Sequence, residues 1–332
     1  MIFDIYNPHA NQNVTQDYVK VIEDSLIAAG HQTNRVSELR KSKENKDRGN
    51  VENQTSSENE AIRSGYGRII RWVQGAGEAE SFMRHHSWLR FYVLSIRNWR
   101  AFKKASFILW CSKAMKAYYE NKFKTQYPNM YVMPCFNDEI NRESFFRQQK
   151  YDNNVFVYAG SLDVWQCFEP TVALYREVEK KVEKSFFRVL VSDREKATEI
   201  LKKYGVERYS IDFVPKEQVA EELRNAKFGF CIREDSIVNR VATPTKLSGY
   251  VSNGVIPIYS KYIEDFADLA KNSKYCVCAA PEELSEAAEK LISLCNEKIE
   301  AQDIYTDYCE IFGSYYSKQY HIEKLSELLK DF

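Results

Sequence analysis

The sequence predicts an α/β protein built from two doubly wound, Rossmann-like domains facing a cleft. Three observations predict it. Residues 151–300 alternate six short, continuously apolar runs with amphipathic helical runs. A weaker version of the same alternation runs through residues 1–150. With 332 residues, 44% of them hydrophobic, the chain is long enough for two cores.

In the second half, strands are expected at Val155–Ala159, Phe187–Val191, Tyr209–Val214, Phe228–Ile232, Val255–Tyr259 and Tyr275–Ala279. Helices are expected at Trp165–Val182, Arg194–Tyr204, Lys216–Asn225, Thr245–Ser252, Ile263–Asn272 and Pro281–Cys295. Short strands that are apolar throughout imply a parallel sheet covered on both faces, and strict alternation with helices implies double winding. In the first half, Ile2–Tyr6, Arg68–Gln74, Ser106–Cys111 and Tyr131–Pro134 read as strands. Gln16–Ala29, Glu78–Lys104 (broken near His86–Ser87) and Ser112–Phe123 read as helices. Glu44–Glu60 is polar and reads as a mobile surface segment, and Asn137–Asn154 reads as a linker. Ala301–Phe332 is helical in period, and its aromatic residues suit either packing across a domain boundary or an extra core layer.

Composition narrows the function classes. Lys+Arg and Asp+Glu are both 47, so the net charge is zero and nucleic acid is not an expected partner. Local basic patches leave a phosphorylated ligand or a membrane surface open as partners. The 8 Cys are scattered without metal-ligand spacing, as expected of reduced thiols in a cytoplasmic protein. No apolar run reaches the roughly 18 residues of a spanning helix, and MIFDIYNPHA reads as a first strand, not a leader.

Three loops of the second half follow strand C-terminal ends, the ligand-binding edge of an open parallel sheet. The first is Gly160-Ser161-Leu162, where glycine lets backbone N–H groups approach a phosphate; a plain tight turn is the alternative. The second, Arg233–Ala242, holds Arg233, Asn239 and Arg240. Its arginines suit a diphosphate clamp, and a solvated charged loop is the alternative. The third, Thr243-Pro244-Thr245-Lys246, opens a helix, with Thr243 expected as N-cap and Pro244 as the first helical residue. A lysine in the first turn opposes the helix dipole unless an anion is bound there, so Lys246 points to phosphate. No Gly-x-Gly-x-x-Gly turn follows a strand, no P-loop motif occurs, and no Asp-x-Asp offers a metal site. Positive side chains and a helix end are then left to neutralise a leaving diphosphate.

YAGSL…W, VPKEQVAEELRNAKFGFCIRED and PTKLSGYVSNGVIPI together resemble the donor domain of GT-B glycosyltransferases, most closely glycosyltransferase family 4. The similarity spans about Val155–Ser260 and is weaker in IIRWVQGAGEAES and ILWCSKAMKAYYENKF. It implies retaining sugar transfer from a UDP- or GDP-sugar to a glycan-type acceptor, without metal or tightly bound cofactor, in polysaccharide assembly at the inner membrane face. It also implies that Gly160 and Ser161 lie beside the donor phosphates, that Arg240 and Lys246 neutralise the diphosphate, and that the Val214–Pro215 turn faces the base. Gly75, Gly77, Glu78 and Glu80 would then face the reacting sugar and acceptor, with Glu80 orienting or deprotonating an acceptor hydroxyl. A dipole-favoured acidic residue at a helix start is the alternative for Glu80. His85 and His86 read as surface or packing residues. One departure stands out: Gly249 occupies the position of the family's ribose-holding Glu, which Glu234 or Asp235 would have to replace. A non-catalytic partner subunit and a sugar-nucleotide epimerase therefore stay open as alternatives.

Overall fold

A computed structural model describes residues 1–6, 13–53, 60–136 and 138–332. The chain divides into two compact units: one of residues 1–137, 241–243 and 317–332, the other of residues 138–240 and 244–316.

The first unit is built on a parallel sheet. Its strands are β1 (Ile2–Tyr6), β2 (Gln32–Val36), β3 (Arg48–Asn53), β4 (Arg68–Val73), β5 (Phe107–Trp110) and β6 (Met130–Val132), in the order β2-β1-β3-β4-β5-β6. The second holds β7 (Val155–Ala159), β8 (Phe186–Leu190), β9 (Tyr209–Asp212), β10 (Phe228–Cys231), β11 (Ile256–Tyr259) and β12 (Val277–Cys278), in the order β12-β11-β10-β7-β8-β9. All pairings are parallel. In the second unit the strand order reverses between β7 and β10, the kind of switch point at which open α/β sheets take their ligands.

Three sequence expectations need correcting. Glu44–Glu60 is no mobile surface segment over its described part: it forms a 3-10 turn at Lys43–Asp47 and the internal strand β3 (residues 54–59 lie outside the described residues). The polar side chains Asn50 and Glu52 of this strand are buried and reach the neighbouring strands. The Asn50 amide donates to the Asp4 carbonyl at 2.9 Å, and Glu52 meets Arg71 of β4 at 2.5 Å. The described part of 137–154 is no loose linker either. It forms the helix Arg142–Phe145, and the buried Lys150 ammonium donates to Leu223 O at 3.1 Å and Asn253 O at 2.7 Å. It thus caps carbonyls at the ends of the helices Lys216–Arg224 and Thr245–Ser252, which need a donor once buried. Finally, the helix expected from Trp165 begins at Phe168, after a 3-10 turn Val164–Gln166 and a left-handed Cys167.

The break foreseen near His86–Ser87 is present. His86 ends the helix Gly77–His85 in the left-handed region, and the Ser87 hydroxyl accepts from Arg90 N to start Trp88–Lys104. The C-terminal stretch splits at Ser317 into the helices Ala301–Tyr315, in the second unit, and Lys318–Leu329, which packs on Asn13–Ala28 in the first.

Candidate functional site

The second unit brings Gly160 and Lys246 together at the switch point. Gly160 follows β7 at φ +143°, a conformation L side chains rarely adopt, and its N–H donates to Leu190 O at 3.0 Å. A Cβ at this position would stand 3.3 Å from Lys246 Nζ. The Lys246 ammonium donates to Gln166 Oε1 at 2.9 Å and lies 4.2 Å from the centre of the Tyr158 ring. Among the described residues no carboxylate pairs with it. Burial, aided by the nearby Arg233 charge, pulls its pKa from 10.5 down to about 7. The side chain thus brings a half-buried positive charge over the Gly160 turn with no counter-ion among the described residues.

The helix Thr245–Ser252 presents its N-terminus here without a side-chain cap and without an acidic residue in its first turn. Thr243 is not the cap, contrary to expectation. Its hydroxyl accepts from Cys135 N at 3.1 Å, and Pro244 takes the cap position, one residue later than predicted. No side chain among the described residues caps the first N–H groups, and Thr245 and Lys246 form the first turn. Tyr250, one turn on, fixes the helix. Its ring lies on Gly229 of β10, where a Cβ would come within 2.8 Å of it, and its hydroxyl donates to Phe230 O at 3.1 Å.

The loop after β10 is braced from within. Arg233 is buried, donates through its guanidinium to the Trp165 carbonyl and through its backbone N–H to Ser260 Oγ at 2.9 Å, and its Nε finds no partner among the described residues. The buried Asn239 amide donates to Glu234 O at 3.1 Å. Arg240 is half-buried and paired bidentately with Asp235 at 2.6 and 2.8 Å, with Glu264 at 3.7 Å. A diphosphate would have to compete with two carboxylates for it. Ser161 is exposed, its hydroxyl donating to Asp163 at 3.1 Å and its carbonyl accepting from Tyr158 at 2.7 Å. Val214 is half-buried after β9, next to Phe213, which is 63% exposed. Sequence reasoning missed Gln166 and Tyr158; the only signal for them was their closeness to Gly160.

Gly249 is buried, and a Cβ there would face Leu223 Cδ1 at 3.5 Å and Asp138 Oδ2 at 3.9 Å. Asp138 is therefore the carboxylate beside this position. Asp235 is engaged by Arg240 instead.

In the first unit the two glutamates of Gly77–His85 separate. Glu78 is fully buried and accepts from Asn98 at 2.8 Å, Tyr119 at 2.9 Å, Tyr118 at 3.1 Å and Lys122 at 2.5 Å. It ties three helices together and is not open to a sugar, which corrects its place among the candidates. Glu80 sits against Gly75, where an added Cβ would collide with its Oε1. His85 and His86 are exposed.

Gly160→Ala is expected to push the Lys246 ammonium aside, lowering anion affinity along with about 1–2 kcal/mol of stability from the unfavourable φ. Titration calorimetry with UDP and a denaturant melt measure the two effects.

No protein-family model matches the chain, and no curated protein matches it. Solved structures do. A sucrose-phosphate synthase from Thermosynechococcus elongatus superposes at TM-score 0.71 and 9% identity, covering 100% of this chain and 98% of that one. A trehalose-6-phosphate structure from E. coli, bound with UDP-2-fluoro glucose, superposes at 0.68 and 10%, covering 100% and 99%. Staphylococcus aureus TarM, in complex with UDP, superposes at 0.65 and 11%; the matched region is 86% of this chain but only 56% of TarM. At such identities the likeness establishes the fold, and that fold is GT-B: two parallel six-stranded sheets with flanking helices.

Proposed function

We propose that the chain is a glycosyltransferase that takes a sugar from a nucleoside-diphosphate donor held by its second unit. One observation carries the reading: Lys246, unpaired with any described carboxylate, stands over the Gly160 turn at the uncapped start of a helix, at the strand-order switch. A diphosphate there would accept hydrogen bonds from the ammonium and the first-turn N–H groups. Both stabilise the negative charge that grows on the leaving group as the glycosidic bond breaks. Arg240 would add to this after exchanging Asp235 for phosphate. Arg233 and Asn239 hold the loop, Ser161 lies beside the phosphates, and Val214 lies beside the base. That neighbours are bound with UDP or a UDP-sugar supports UDP as the first donor base to test. Retention, independence from metal, membership of family 4, a glycan-type acceptor, a role in polysaccharide assembly and a cytoplasmic site of action rest on the sequence resemblance and belong to the proposal.

Titrating UDP and GDP into the purified chain tests the donor site; no heat of binding with either removes it. Glu80 is proposed to orient or deprotonate the acceptor hydroxyl. Glu80→Gln should lower turnover by on the order of a hundredfold while leaving UDP affinity unchanged, as expected for loss of a general base. Nucleoside-diphosphate release from the preferred donor is the assay, and unchanged turnover removes Glu80 from the reaction.

The absence of a side chain at Gly249 favours one other reading, a non-catalytic partner of another transferase. Donor hydrolysis or transfer by the chain alone excludes it.

A further inference from the structure

We propose that the helix Trp88–Lys104 of the first unit is a docking element that lies flat on a membrane surface carrying anionic lipid headgroups. The helix is inside out. It buries Ser95 and Asn98 beside Ala101 and Phe102, and exposes Trp88 (58%), Leu89 (76%), Tyr92 (59%), Val93 (46%) and Ile96 (50%). Five of the fourteen exposed large hydrophobic residues among those described are thus concentrated on one helix. At about 100° per residue these five fall within an arc of roughly 140°, facing away from the buried set. The orientation is fixed from within. Asn98 donates to the buried Glu78 at 2.8 Å, and Ser95 donates to Phe91 O at 2.8 Å. An exposed apolar stripe held outward by buried polar contacts marks an interaction surface.

Charge identifies the occupant. The chain as a whole is neutral, with 47 basic and 47 acidic residues. Yet from Ser81 to Tyr119 there is no Asp or Glu, while there are eight Lys and Arg. Of these, Arg84, Arg90, Arg97, Arg100, Lys103 and Lys104 are exposed on or next to this helix. The apolar residues occupy its first half, and Arg100 and Lys103 continue the same arc in the second half. Lys103 lies 4.2 Å from the Trp99 ring centre. A second copy packed about a twofold axis would set this cationic patch against itself. A bilayer with anionic headgroups complements both parts: the apolar stripe enters the headgroup–acyl boundary, the cations meet lipid phosphates, and Trp and Tyr suit the interface. At 17 residues the helix offers about 25 Å of contact line.

Co-sedimentation of the full chain with vesicles tests this, comparing phosphatidylcholine alone with phosphatidylcholine mixed with phosphatidylglycerol. The chain should pellet with the mixed vesicles, far less with the neutral ones, and less again as salt is raised. Leu89→Glu with Ile96→Glu should lower partitioning by on the order of tenfold or more, and Arg100→Glu with Lys104→Glu should remove the preference for anionic vesicles. All four positions are exposed, so unchanged melting and UDP titration keep loss of docking apart from loss of fold and from failure of the donor site. Failure of the parent chain to pellet, pelleting of both variants equal to that of the parent, or a concentration-dependent dimer abolished by Leu89→Glu with Ile96→Glu would overturn the proposal.

Discussion

Replacing Lys246 with alanine is expected to weaken nucleoside-diphosphate binding by about 2 kcal/mol, roughly thirtyfold in the dissociation constant. That is the size of one charge-assisted hydrogen bond in a half-buried site. The substitution should leave the fold intact, because among the described residues the ammonium meets Gln166 and the Tyr158 ring, while Tyr250 anchors the helix. The effect should also depend on pH. With its pKa pulled down to about 7, the amine of the ligand-free protein is neutral in mildly alkaline buffer. A bound diphosphate favours the ammonium, so binding takes up a proton above pH 7, and affinity falls as pH rises from 7 towards 9. The ligand-free fold has the opposite slope. The unfolded lysine holds its proton up to 10.5, so between about 7 and 10.5 the unfolded state binds more protons and stability rises with pH. Calorimetry in buffers of different ionisation enthalpy counts the proton directly. Equal affinity of the alanine variant, or no proton uptake at pH 8, would sink the assignment.

The second unit was more legible in the sequence than the first, for physical reasons. Its central strands are covered by helices on both faces, and β7 and β10 are apolar from end to end, so VFVYA and FGFC stand out without any alignment. β3 lies between β1 and β4, yet its sequence, RGNVEN, reads as surface. Periodicity cannot show that Asn50 and Glu52 find partners only after β1 and β4 arrive beside them, since those contacts are 46 and 19 residues away. β2, QTNRV, was missed for the ordinary reason that an edge strand stays half wet. The two glutamates show the same limit at a site. Glu78 and Glu80, two residues apart, point about 200° apart on a helix, so only one can enter the core. Which one it is depends on Asn98, Tyr119 and Lys122, supplied by later helices. Likewise the Gly160–Lys246 pairing was legible as two anion-binding loops, while Arg240 was legible as a cation but not as one held by Asp235.

Removing the Glu52 carboxylate should destabilise the first unit by about 3–5 kcal/mol, because it strands a buried charge. Glu52 and Arg71 have side chains 0% and 1% exposed and meet at 2.5 Å across β3 and β4. Burial pushes the Glu52 carboxyl up and the Arg71 guanidinium down, so for both groups loss of water outweighs the attraction of the partner. Arg71 Nε and its second terminal nitrogen find no acceptor among the described residues, and the guanidinium lies 6.0 Å from the Phe102 ring centre. The pair therefore adds little stability of its own. It specifies that β3 sits beside β4, because any other neighbour would leave a charge unpaired in the core. This separates two variants. Glu52→Ala alone should lower the denaturation midpoint sharply, since Arg71 keeps its desolvation penalty and loses its counter-charge. Glu52→Met with Arg71→Met should recover most of the loss, because it removes both charges and keeps the volume filled. Equilibrium denaturation of the parent, both single variants and the double variant closes the cycle. A double variant no more stable than Glu52→Ala would mean that the pair itself holds the sheet together, and that the net cost of burial has been overstated.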